Sequence, residues 1–242
     1  MAWNLRFHPH SLPTLTEPFS PATERFRMLR VRLDSMALPG GRSPRVIGFT
    51  SSLPEEGKTC VSLNTAIAAA QKRDRDRRVL FVECDLRSPS AGTFLVKAPV
   101  EGLREILDVG MRLDDVVLKA ELPPNLSLLL AGRPPENPVE LLGSKNMETL
   151  FLAFRQQYDL VIVDLPPALG FADATQIGSH VDTFLIVARH GRVERKALAE
   201  THRLLAPYGV AGVVLNAQPR SQARYYSSEP DPGKTTGPVV SP

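Results

Sequence analysis

The chain is poor in cysteine, in aromatic residues and in long apolar runs. Of its 242 residues two are Cys, one is Trp and 6% are aromatic. Two thiols, Cys60 and Cys84, build no disulfide framework and are expected to be small, buried and reduced. No stretch approaches the ~18–20 apolar residues that a bilayer crossing requires. Residues 1–21 (MAWNLRFHPHSLPTLTEPFSP) lack the charged start and apolar middle of a secretory signal, so a cytoplasmic protein is expected. An excess of one charge is missing too: 29 Lys+Arg face 26 Asp+Glu, a net +3. The basic segment KRDRDRR at 72–78 is interrupted by Asp74 and Asp76 and reads as a solvated helix end, so no nucleic-acid partner is expected. The five histidines (8, 10, 180, 190 and 202) have no metal-ligand spacing with the cysteines, which argues against a zinc site. What remains is an ordinary soluble composition, 43% hydrophobic and 23% charged, long enough for one large core.

Proline is abundant, 22 in all, and concentrated at the ends. A flexible arm over 1–21 and a disordered tail over 218–242 are expected, the latter because PRSQARYYSSEPDPGKTTGPVVSP has little to bury. Between them short apolar runs recur at 46–49, 79–82, 126–130, 160–163, 183–187 and 210–215, apolar on both faces as covered parallel strands must be. Helical patterns lie at 58–72, 144–157 and 192–206, and a further helix over 22–37 precedes the sheet. On that helix Phe26, Leu29, Leu33 and Met36 make an apolar stripe, while Glu24, Arg27 and Arg30 spread over an arc of about 120° elsewhere. The alternation predicts a doubly wound, mostly parallel α/β sheet with helices on both faces over 22–217, its sites at the carboxyl ends of the strands.

After the first strand comes Thr50-Ser51-Ser52-Leu53-Pro54-Glu55-Glu56-Gly57-Lys58-Thr59. It follows the Walker A pattern of P-loop NTPases, except that Ser52 takes the place of the first glycine. Backbone N–H groups of such a loop wrap phosphates, and the helix that follows adds partial positive charge. The candidate nucleotide-binding residues are Ser52, Glu55, Glu56, Gly57, Lys58, Thr59 and Cys60, with Lys58 on the β/γ-phosphates of ATP and the Thr59 hydroxyl on Mg²⁺. A later strand ends YDLVIVDLPP, which holds Asp164 where a Walker B carboxylate meets Mg²⁺. A third strand ends Val82-Glu83-Cys84-Asp85-Leu86-Arg87; two carboxylates at i and i+2 on extended chain point the same way. Three acidic groups converging on a phosphate-bound metal suit phosphoryl transfer.

These segments resemble those of the bacterial tyrosine kinases, cytoplasmic autokinases of capsule and exopolysaccharide assembly. The resemblance runs from about residue 22 to 226: SSLPEEGKT matches the family's Walker A, VECDLRSP its second acidic motif, YDLVIVDLPP its Walker B and AGRPPENPVELLGS its G-x-x-P-x-N-P-x-E-L-L-x-S segment. GVVLN at 212–216 is similar to a late strand ending in Asn, and Glu24, Arg27 and Arg30 reproduce an E-x-x-R-x-x-R helix. The resemblance implies an ATP- and Mg²⁺-dependent tyrosine autokinase. Lys58, Glu83, Asp85 and Asp164 would be its catalytic residues, Thr59, Asp85 and Asp164 its metal ligands, and Asn216 an adenine contact. It further implies a ring held by Glu24, Arg27 and Arg30, acceptor tyrosines Tyr225 and Tyr226 presented to a neighbouring subunit, and a separate membrane protein of polysaccharide chain-length control that recruits the kinase to the inner face of the membrane.

Two departures qualify the match. Glu83 stands where the family has the aspartate that takes the phenol proton, and an added methylene shifts a carboxylate by an amount that can cost ~100-fold in rate. The tyrosine cluster is also short. A catalytically weak nucleotide-dependent scaffold is therefore the competing expectation. A partitioning-type ATPase is disfavoured, because the signature lysine of that class, five residues before Lys58, is Leu53 here.

Overall fold

The computed structural model describes residues 4–8, 12–71 and 77–219. Eight strands form one sheet: β1 (Asn4–Leu5), β2 (Val46–Ser51), β3 (Val79–Glu83), β4 (Leu118–Ala120), β5 (Leu126–Leu129), β6 (Leu160–Asp164), β7 (Thr183–Arg189) and β8 (Val210–Asn216), in the order β1-β4-β5-β3-β6-β2-β7-β8. Every pairing is parallel except β4 with β5. Eight α-helices are described: α1 (Pro13–Thr16), α2 (Pro21–Asp34), α3 (Lys58–Ala70), α4 (Leu113–Val116), α5 (Pro138–Leu142), α6 (Lys145–Gln157), α7 (Asp173–Gly178) and α8 (Arg195–Leu205). A π-helical turn, Glu105–Val109, precedes α4. The six strands read from apolar runs are all present; β1 and β4 are too short to leave such a run.

Strand alternation sorts the core into two layers. Val46, Leu80, Val82, Val161 and Val163 meet α6 and α7 through Met147, Phe151, Phe154 and Ile177. Ile47, Phe49, Phe81 and Ile162 meet α2 and α3 through Leu33, Val61, Leu63, Ala66 and Ile67. Each large side chain so buried contributes about 1.5–3 kcal/mol, which is why both faces of the sheet must be covered. Helix starts are set by short polar residues: Ser20 accepts the Thr23 N–H ahead of α2, and Ser144 accepts that of Met147 ahead of α6.

The expected flexible arm requires correction for its described part. Leu5 and Leu12 are buried, β1 pairs with β4, and Pro13 opens α1. Thr14 donates its hydroxyl to Asn64 Oδ1 (2.6 Å) and its carbonyl accepts from Gln71 Nε2 (3.1 Å), tying the arm to α3. Pro13 and Pro21 start helices rather than break structure. The helix expected over 22–37 ends at Asp34. No helix among the described residues is long and apolar enough to cross a membrane.

Candidate nucleotide and phosphoryl-transfer site

Strand register assembles the site. Asp164 at the end of β6 lies opposite Glu83 on β3 and opposite Phe49 on β2, two residues before the P-loop strand ends. The carboxyl ends of three neighbouring strands thus bring Gly57–Thr59, Glu83–Asp85 and Asp164 together, as the sequence predicts for a doubly wound sheet.

The loop from Ser52 to Gly57 is braced on every side. Gly57 caps α3 with φ 86°, a left-handed conformation that favours glycine, and a Cβ there would collide with Asn216 Nδ2. Glu55 also has a positive φ, 62°. The fully buried Glu56 carboxylate accepts from the N–H groups of Leu53 (2.8 Å) and Arg189 (3.3 Å). Arg192 pairs with Glu55 at 2.7 Å, and Arg189 Nη1 donates to the Glu55 carbonyl (3.1 Å). Asn216, expected at adenine, donates instead to the Glu56 carbonyl (2.9 Å), so in this conformation it holds the loop. Ser52 has a use for its hydroxyl: buried Thr201 on α8 donates to it at 2.8 Å.

Inside this loop the charges are arranged around Lys58, whose Nζ lies 2.8 Å from Asp85 Oδ2. Asp85 also accepts the Ser88 N–H (3.0 Å). Thr59 Oγ1 accepts from Ser90 Oγ (3.0 Å), and Ser62, one turn further along α3, donates to Asp164 Oδ1 (3.2 Å). Asp164 Oδ2 is buried and has no hydrogen-bond partner among the described residues. Burial pushes the Asp164 carboxyl up to about 7, against the pull of the Lys58 charge and the Thr59 hydroxyl and with help from Glu83 and Asp85. Leaving such an atom unmade is costly unless a ligand completes it.

Glu83 is placed differently from its expected role. Its Oε1 accepts from the N–H groups of Ser90 and Ala91, both at 2.6 Å, and its Oε2 from Ala131 (3.2 Å). The carboxylate is buried and welds the end of β3 to the 90–91 turn and to the end of β5; burial raises its pKa while the three amides oppose the rise. Of the two acidic residues in VECDLR, Asp85 is the one joined to the P-loop lysine. Cys84 is buried as expected, but Cys60 is partly exposed, with Asn64 Nδ2 donating to its carbonyl (2.8 Å).

The residues present fit Mg²⁺. Among the described residues no group of three His, Cys, Asp or Glu side chains forms an all-protein metal site. Magnesium with a nucleotide requires little protein, one or two carboxylates beside the phosphates, and the orphaned Asp164 oxygen near the Thr59 hydroxyl is such a donor set.

Glu24, Arg27 and Arg30 lie away from this centre on α2. Glu24 pairs with Arg27 (3.2 Å), and Arg30 with Asp34 (3.4 Å), which Arg77 also meets (2.6 Å). Met28 and Val31 are exposed beside them. Tyr225 and Tyr226 lie outside the described residues. Residues not singled out from the sequence include Ser62, Ser90, Thr201 and Arg189; of these only Ser62, three residues after Thr59 on the same helix, had a positional signal.

No family model matches the chain. It is 31% identical over 214 residues to tyrosine-protein kinase YwqD of Bacillus subtilis, covering 88% of each protein. The chain belongs to the bacterial tyrosine-protein kinases. It is also 31% identical over 226 residues to tyrosine-protein kinase Etk of Escherichia coli K12, where it spans 92% of itself but only 30% of that longer protein. The solved kinase domain of Etk superposes with a TM-score of 0.75 at 30% identity, covering 86% of this chain and 82% of that one. The chimerical protein CapA2B2 superposes with a TM-score of 0.80 at 26% identity, covering 90% and 93%. Kinship with tyrosine kinases and the fold of the site therefore agree.

Proposed function

We propose that the protein is an ATP- and Mg²⁺-dependent tyrosine autokinase that phosphorylates Tyr225 and Tyr226 of a neighbouring copy and regulates exopolysaccharide or capsule assembly. One observation carries the reading: Lys58, Asp85 and the orphaned Asp164 oxygen converge at the mouth of the Gly57 loop. Lys58 exchanges Asp85 for the β/γ-phosphates, and the backbone of 53–58 cradles them. Thr59 and Asp164 would hold Mg²⁺, which would supply neutralisation of charge on the transferring phosphoryl group. The phenol oxygen forms a bond to the γ-phosphorus as the bond to the bridging β,γ-oxygen breaks and ADP leaves. Asp85, freed from Lys58, takes the phenol proton, a transfer that a phenol of pKa ~10 needs at neutral pH. Glu83 acts as the structural weld behind it.

The test is incubation of the full chain with γ-labelled ATP and Mg²⁺. Label is expected on tail tyrosines, lost in Lys58→Met and in Tyr225→Phe/Tyr226→Phe. Glu83's capture by three backbone amides favours a second reading, a nucleotide-dependent scaffold; nucleotide binding without label on any residue would favour it over the kinase. The α2 charges are proposed to join copies into a ring, so Arg27→Glu/Arg30→Glu should reduce the mass seen by light scattering, and an unchanged mass would refute that role. The activator is proposed to be a separate membrane protein; full activity and localisation without any partner would refute it.

A further inference from the structure

The phosphate chemistry leaves one built feature beside the site unused. After Asp164 the chain turns through Pro166 and Pro167 into the segment 168–172, whose tip, Gly170 to Ala172, is exposed. The segment is anchored to the P-loop strand: Thr50 Oγ1 donates to the Pro166 carbonyl (2.6 Å), and the Ala168 N–H to the Ser51 carbonyl (2.8 Å). At its far end the buried Asp173 carboxylate holds Arg87 through two bonds, Nε at 2.7 Å and Nη2 at 3.3 Å. That grip fixes the guanidinium over the Phe171 ring, 4.4 Å from its centroid. Phe171 is nonetheless 38% exposed. Arg87 stands two residues after Asp85 and within range of its charge.

We infer that the Phe171 ring, with Arg87 locked against it, is the platform on which the aromatic ring of the acceptor tyrosine docks. The inference rests on the tyrosine-kinase reading for the identity of the occupant, a tyrosine of the 220–230 segment (RSQARYYSSEP) of a second copy. An aromatic ring beside a fixed guanidinium attracts another ring by edge or offset stacking and by cation–π contact, with little demand on the flanking sequence. Such a platform explains how the site selects a phenol over an aliphatic hydroxyl: Ser and Thr have no ring to rest on it. It also explains why the loop carries a large apolar side chain at an exposed tip, and why the buried Asp173 orients Arg87.

Binding tests this without requiring catalysis. The full chain carrying Tyr225→Ala/Tyr226→Ala, so that its own tail does not compete, is saturated with Mg²⁺ and a non-hydrolysable ATP analogue. It is then titrated with a synthetic peptide of residues 220–230. Phe171→Ala is expected to weaken peptide binding about tenfold, matching the worth of one aromatic pair, with affinity for the ATP analogue within about twofold. Phe171→Tyr should restore the peptide. Replacing both peptide tyrosines by Phe should preserve binding, and replacing them by Ser should lose the tenfold on the parent chain but nothing further on Phe171→Ala. Undetectable peptide binding to the parent chain, or equal peptide affinity with and without the Phe171 ring, would overturn the platform. With hydrolysable γ-labelled ATP in place of the analogue, label transfer to the peptide tyrosines at an unchanged peptide KM in Phe171→Ala would refute the platform alone. Peptide binding that depends on Phe171, without any phosphate transfer, would refute the kinase reading and leave the platform standing.

Discussion

The two ends of the sheet treat carboxylates in opposite ways. At the amino ends Asp182 accepts from the backbone N–H groups of Arg45 and Val46 (2.8 Å each) and from both terminal nitrogens of Arg155 (3.1 Å each). Burial alone would raise its pKa, but Arg155 and the two amides more than offset it and hold the carboxyl below its ordinary value. Asp159, with Arg78 beside it, is likewise held low against a smaller burial. At the carboxyl ends Asp164 is pushed up to about 7, and Glu83 is raised as well. The same residue type therefore stabilises one end of the fold and strains the other. A carboxylate left under-paired at such a cost is explained by a ligand that completes it.

The sharpest way to break that contrast is Lys58→Met. Removing the P-loop lysine should lower phosphotransfer by about 10³-fold, measured as initial rate of labelling; a loss under tenfold would show that Lys58 is not at the reacting centre. Next in size is a pair of isosteric changes with opposite signs. Asp182→Asn should destabilise the nucleotide-free protein by about 1.5–3 kcal/mol in urea unfolding, because the partly buried Arg155 loses its counter-charge, with nucleotide affinity unchanged. Asp164→Asn should stabilise the nucleotide-free protein at pH 8 and abolish the Mg²⁺-dependent part of nucleotide binding. Equal signs in the two variants would erase the distinction between the ends.

The pH dependence of stability carries the same contrast. A raised carboxyl binds its proton more tightly in the folded state, so Asp164 favours the fold fully below pH ~4 and loses that contribution as pH rises through about 7. The loss amounts to as much as about 4 kcal/mol in the absence of metal, from a shift of roughly three pH units. Asp182, held low, contributes above its unfolded value and is lost only as acid drops the pH through its folded value. Unfolding curves of the nucleotide-free protein between pH 5 and 8 should therefore show falling stability that Asp164→Asn removes. The smallest expected effect is Thr201→Val, which deprives the Ser52 hydroxyl of its buried donor and should cost about 1–2 kcal/mol.

Much of this was legible in the sequence, for a definite reason. Apolar runs long enough for a covered strand, each ending in chemistry-bearing residues, marked β2, β3 and β6 and so the P-loop, Asp85 and Asp164. The two-residue β1 and three-residue β4 had no such run, and the buried Leu5, Leu12 and Thr14 were hidden among prolines that suggested a loose arm. Side-chain destinations were the least readable. Glu83 and Asp85 share one strand direction in the sequence, yet nearby backbone N–H groups capture the first while Lys58 takes the second. Asn216 ends its strand as expected, but its amide reaches the Glu56 carbonyl across 160 residues of chain. Those outcomes depend on contacts between distant segments, which no local pattern encodes.

The most direct measurement is a crystal structure with Mg²⁺ and a non-hydrolysable ATP analogue. The expected result is Lys58 Nζ drawn from Asp85 onto the β/γ-phosphates, with Asp164 Oδ2 facing the metal. A nucleotide bound with the Lys58–Asp85 contact still at 2.8 Å, or with Asp164 Oδ2 still unengaged, would contradict the site proposed at the carboxyl ends of the sheet.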